Sequence, residues 1–188
     1  MYIDTPILTL WILIRGGKIG PNKLEPRGRQ CNLLLDSVTK KQFRCQFLTS
    51  DWALAEVVQA LRDNEIMEFF KLEGHEIAAF NRVKNQYRVQ VARRKLIRHE
   101  IDDFEKFLGN QQIQIVKINL DPQAVRDYCL KYSLETPDAL HILTASQQSC
   151  KYLTTVDKPL IDAKKVAGVE IVKPGTLVTK SNLLAKHT

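Results

Sequence analysis

Four acidic side chains sit alone in otherwise apolar stretches: Asp4 in MYIDTPIL, Glu56 in WALAEVVQAL, Asp138 in TPDALHIL and Asp157 in YLTTVDKPL. A carboxylate is costly to bury unless it is paired or bound to a cation, so four such residues ask for a common cause. Brought together they would repel one another, and protons or cations must relieve that repulsion. Oxygen donors without Cys or His ligands favour Mg²⁺ or Mn²⁺ over zinc. Ions held in this way lower the pKa of a water, orient it in line with a phosphodiester and stabilise the leaving oxygen. The chemistry to expect is hydrolysis of nucleic acid.

The elements that must position these acids are short strands alternating with helices. Residues 1–5 read as a buried strand ending at Asp4, and Pro6 suits the first turn of a helix running to about Ile14. Residues 15–29 collect four Gly, two Pro and five basic residues, which marks a mobile basic loop with no packed element. Cys31, Leu34, Leu35 and Val38 form a helical stripe, whereas Phe43, Cys45 and Phe47 alternate as a strand would. Thr49 or Ser50 caps the helix that carries Glu56, with Leu54, Val57, Val58 and Leu61 toward the core and Glu56 on another flank. Residues 64–108 read as two polar helices, 112–120 as a strand, and Asp121-Pro122 as the start of a helix. Thr136 as N-cap and Pro137 as first residue put Asp138 in a first turn. Residues 151–156 are a strand ending at Asp157, Lys158-Pro159 opens a short helix, 168–172 is a last strand, and 174–188 is a loose tail.

This order implies an α/β fold with a central, mostly parallel sheet flanked by helices, as one domain over 1–188. Sites in such sheets form outside the carboxyl ends of the strands, and the four acids all fall toward that edge.

Each residue also has a plainer reading. Asp4 suits a strand-end turn, Asp138 a helix N-terminus and Asp157 a helix cap. His141 in TPDALHIL reads as a packing residue and stays outside the expected site; Asp162 reads as an exposed helix acid, and Tyr87 receives no role. Arg82, Lys84, Arg88, Arg93, Arg94, Lys95 and Arg98 lie between Glu76 and Glu100 with no acid among them. Such a run is a solvated face or an RNA contact.

The 44% hydrophobic content supplies enough apolar side chain for a sizeable core in 188 residues. The longest apolar run, Pro6 to Ile14, is too short to span a bilayer and lacks the flanks of a secretory signal, so a soluble cytoplasmic protein is expected. Cys31, Cys45, Cys129 and Cys150 have no CxxC spacing and read as buried free thiols. The formal charge of +7 suits an acidic partner.

Tyr-Ile-Asp-Thr at 2–5, Thr49-Ser50 with Glu56-Val57, Thr-Pro-Asp-Ala-Leu-His-Ile at 136–142 and Leu-Thr-Thr-Val-Asp-Lys at 153–158 together resemble the PIN-domain ribonucleases, in that family's order and over residues 1 to about 172. The resemblance implies a PIN-like three-layer sandwich, a Mg²⁺ or Mn²⁺ site made of Asp4, Glu56, Asp138 and Asp157 with Thr5 and Thr155 as polar supports, and single-stranded RNA as substrate. Many members are the toxin half of a toxin-antitoxin pair, with a small antitoxin protein as partner, and dimerisation is common among them. The loop at 15–29 and the helical section to 108 depart from the compact toxins. A noncatalytic PIN-like module binding RNA or protein is the alternative, which retention of all four acids disfavours. An aspartyl phosphatase is disfavoured because no second aspartate stands two residues after Asp4.

Overall fold

The computed structural model describes the backbone of residues 1–185 and the side chains of residues 1–179 apart from Pro21, Ile77 and Val83. The chain opens with β1 (Tyr2–Ile3) and α1 (Thr5–Arg15), then α2 (Pro26–Thr39), β2 (Phe47–Ser50) and α3 (Asp51–Leu72). It continues through α4 (Phe80–Val83), α5 (Val91–Asn110), β3 (Ile113–Val116), α6 (Pro122–Tyr132) and α7 (Thr136–Gln147). Next come β4 (Tyr152–Thr154), α8 (Lys158–Ala163), β5 (Lys165–Val166), β6 (Val169–Val172) and α9 (Pro174–Ala185).

The strands form one sheet in the order β3-β2-β1-β4-β6-β5, parallel except for β5 against β6. Successive strand residues point to opposite faces, and the core divides accordingly. Ile3, Phe47, Ile113 and Val172 join Trp11, Leu34, Leu61 and Phe104 on one side. Tyr2, Leu48, Val116, Leu153 and Ile171 meet Ile142, Ala145 and Leu160 on the other. Helices therefore cover both faces of the sheet, and strand residues on either face are buried against them. A smaller cluster of Ile66, Phe70 and Phe80 seats the segment after α3 on that helix. Among the described residues no helix is long and apolar enough to cross a membrane.

Several local expectations give way. The basic segment at 15–29 is partly packed: a 3₁₀ turn forms at Pro21–Lys23, Leu24 is buried, and α2 already starts at Pro26. The Lys18 ammonium lies 2.9 Å from Glu100 and 3.4 Å from Glu65, which ties the segment to α5 and α3. The strand expected around Phe43 lies later, at Phe47–Ser50, and runs directly into α3, whose N-cap is Ser50. The strand at 112–120 shrinks to Ile113–Val116, and the N-cap of α7 is Glu135, with Thr136 inside the helix. Residues 64–108, expected as two helices, hold the last turns of α3 and most of α5, and short helical turns at Ile77–Ala79, Phe80–Val83 and Lys84–Gln86 join them. Residues 174–185 form α9, whose Leu177 is buried in the core; residues 186–188 of the expected tail lie outside the described residues. All four cysteines are free, but only Cys31 and Cys150 are buried, and Cys45 is exposed.

Candidate functional site

The spatial order of the strands reverses at β1, which lies between β2 on one side and β4 on the other. In open parallel sheets such a switch leaves a crevice outside the carboxyl ends of the strands. An open pocket of about 560 Å³ lies here, and Asp4, Glu56, Asp138 and Asp157 all line it.

Asp4 follows β1 directly and caps α1, accepting the Thr5 backbone N–H at 2.8 Å on Oδ1. The Thr155 hydroxyl donates to its Oδ2 at 2.6 Å and itself accepts the Asp157 backbone N–H at 2.9 Å. One threonine thus fixes two of the acids. Glu56 is the sixth residue of α3, in its second turn and not its first, and its Oε2 accepts from the Thr5 hydroxyl. Asp138 lies in the first turn of α7, and Asp157 immediately precedes α8 without capping it through its side chain.

His141, set aside from the sequence, stands at the centre. It is 3% exposed, and its Nε2 lies 2.8 Å from Glu56 Oε2 and 3.4 Å from Asp4 Oδ1. Its Nδ1 lies 2.8 Å from the Tyr2 hydroxyl, which in turn contacts Ser50 Oγ at 2.7 Å. The available signal was spacing, since His141 is one helical turn after Asp138 and faces the same way. Asp63, two turns beyond Glu56, also lines the pocket and accepts from the Lys84 ammonium at 2.6 Å. Asp162 does not line this pocket. Tyr87 packs with Phe69 and Phe70 at the far end of α3.

The electrostatics divide the acids into two pairs. Burial pushes Asp4 above the usual carboxylate range, against the pull of His141 and the Thr155 and Thr5 hydrogen bonds. Partial burial would raise Glu56 too, but the His141 and Thr5 hydrogen bonds outweigh it and hold Glu56 low. Burial alone would lower His141; the Glu56 hydrogen bond and the Asp4 charge hold it above its ordinary value. The imidazolium therefore serves as a built-in counter-ion for Asp4 and Glu56.

Asp138 and Asp157 have no such partner: neither carboxylate makes an ion pair or side-chain hydrogen bond among the described residues. Asp138 is pushed up to about 6 by desolvation and by the charges of Asp157 and Asp4. The donors available to a cation are thus carboxylate oxygens, with Asp138 and Asp157 the least satisfied. The acids share one pocket without forming a closed shell, and among the described residues no three His, Cys, Asp or Glu side chains make a ready coordination group.

Of the seven basic residues from Arg82 to Arg98, two are engaged, Lys84 with Asp63 and Arg93 with Glu65. Arg82, Arg88, Arg94, Lys95 and Arg98 are exposed and make no ion pair among the described residues. No protein-family model matches the chain, and no curated protein matches it either.

Proposed function

We propose that this chain is a divalent-metal-dependent endoribonuclease that cleaves single-stranded RNA, built on a PIN-like version of the α/β fold. One observation carries the reading: Asp4 just after β1, Glu56 of α3, Asp138 of α7 and Asp157 between β4 and α8 line a single pocket at the carboxyl edge of the sheet. Two of them, Asp138 and Asp157, make no ion pair among the described residues, and an all-oxygen donor set with unrelieved repulsion suits Mg²⁺ or Mn²⁺. When bound, such an ion supplies a water of lowered pKa and a positive clamp for phosphoryl oxygens.

The chain's own groups do the rest. Asp138 and Asp157 offer the free carboxylates that hold the ion. Asp4, locked by Thr5 and Thr155, sets a fixed third edge of the donor set. Glu56, kept ionised by His141 and Thr5, accepts a hydrogen bond from the attacking water and orients it. The chain's excess positive charge draws in a polyanion that the acids alone would repel.

The test is cleavage of a mixed single-stranded RNA by wild type and Asp4→Asn with Mg²⁺, with Mn²⁺ and with EDTA. Wild type should cleave only with metal, and Asp4→Asn should lose roughly a hundredfold or more while keeping its circular dichroism spectrum. Cleavage by the variant at the wild-type rate, or by wild type in EDTA, would overturn the assignment.

A further inference from the structure

A second pocket of about 210 Å³ is lined by Val156 and Lys158, the sequence neighbours of Asp157. Arg27 from the first turn of α2, Lys158 at the start of α8 and Lys173 just after β6 all line it. We propose that this pocket binds a phosphate group of the RNA strand, next along from the bond held at the acids; the proposal rests on the nuclease reading.

Three cations brought from distant parts of the chain to one small space repel one another unless an anion joins them. Among the described residues its lining holds one carboxylate, Asp162. None of the three makes an ion pair among the described residues, in contrast to Lys18, Lys84 and Arg93, each set against an acid. Their charge is therefore unspent within the fold.

Place supports the same conclusion. Asp157 lines the acid pocket, and Val156 and Lys158, which flank it in sequence, line the basic one. The acid pocket lies at the ends of β1 and β4, and the basic one at the ends of β4 and β6, the next pair in the sheet. A strand with one phosphodiester at Asp157 and Asp138 therefore carries a neighbouring phosphate to the lysines.

Size and lining agree. The volume matches that of roughly seven liquid waters, enough for a phosphate with part of its hydration. Gln30 adds an amide to the lining, and it owes its position to Gly175, where a Cβ would meet the Gln30 side chain at 3.1 Å.

The experiment is fluorescence anisotropy of a short labelled single-stranded RNA in Ca²⁺ over a series of KCl concentrations. Wild type is compared with a Lys158→Gln/Lys173→Gln double variant and with a control, Lys40→Gln/Lys106→Gln, whose lysines precede the amino ends of β2 and β3. All four lysines are exposed, so folding is not at risk, and thermal melts verify it. The pocket variant should bind about tenfold more weakly at moderate salt, with the slope of log K against log salt reduced by about 1.4, while the control moves little. Equal affinity and slope for the two variants would overturn the pocket. Each titration is run with 5′-phosphorylated and 5′-hydroxyl RNA: loss with both assigns an internal phosphodiester, and loss with the first alone a terminal phosphate. Cleavage in Mg²⁺ is followed on the same preparations. If wild type cleaves and the two variants bind alike, the pocket fails alone; if wild type binds no RNA even at low salt, the nuclease reading fails with it.

Discussion

His141 shows how a residue can be a packing group and a site group together. Its imidazole neutralises Glu56 and Asp4 from within the core, so His141→Gln leaves a buried charge without its partner, at a cost of roughly 3 kcal/mol at pH 6. The folded pKa lies above the ordinary value near 6.5, so this stabilisation is complete below that pH and fades as pH rises through the raised value. Urea denaturation should find the variant's deficit smaller at pH 9 than at pH 6. Asp138 has the opposite sign. Its carboxyl sits at about 6 in the folded chain, against an ordinary value near 4, so folding is opposed by its charge above pH 6 and is indifferent to it below pH 4. Asp138→Asn should therefore stabilise the metal-free protein at pH 7.5 by on the order of 1 kcal/mol, discounted because the group is half-exposed, with no gain below pH 4. Thermal melts at the two pH values decide it.

At the scale of elements, α9 and the β5–β6 hairpin are where the sequence was hardest to read. The Pro174-Gly175 opening looks like the end of ordered structure, and what holds α9 is a partner far away in the chain: Leu177 sits in the same core cluster as Leu34 and Leu35 of α2. Leu177→Ala should cost about 2–4 kcal/mol in chemical denaturation, whereas a loose tail would lose nothing. Ala167 and Gly168 form a two-residue turn with φ of 52° and 85°, joining Val166 to its partner Val169. Alanine is a poor residue for that geometry, which hid the hairpin; Ala167→Asn should raise stability by roughly 0.5 kcal/mol, read as a shift in melting temperature. β2 was misplaced for another reason. A strand buried on both faces has no alternation to detect, and its polar Thr49 and Ser50 are tolerated only because their hydroxyls reach the Ile3 carbonyl and the Tyr2 hydroxyl. Asp4, Asp138 and Asp157 were legible because each stands beside a recognisable strand end or helix start, and Glu56 because it is a lone acid in an otherwise apolar helical stretch. His141, Tyr2 and Asp63 were not, because their roles exist only once β1, α3 and α7 are side by side.

At the scale of the whole molecule, Asp138 and Asp157 line the acid pocket and Arg27, Lys158 and Lys173 a second one, and none of the five makes an ion pair among the described residues. Metal should couple to folding through the acid pocket. Mg²⁺ at ten times its dissociation constant should stabilise wild type by about 1.4 kcal/mol and leave Asp138→Asn nearly unmoved, which calorimetric melts with and without the ion would show. The central strand carries a further consequence. Tyr2 pairs with both Leu48 and Leu153, so the middle of the sheet joins segments about 150 residues apart. Closing so long a loop is entropically expensive, and contacts of such sequence separation form slowly. Asp4 and Glu56 can meet early, with β1 against β2, but Asp157 joins them only when β4 docks. The pocket is thus among the last features of the molecule to assemble, and a chain shortened before β4 keeps three of its four acids, Asp4, Glu56 and Asp138, but loses Asp157 and the Thr155 hydroxyl that holds Asp4.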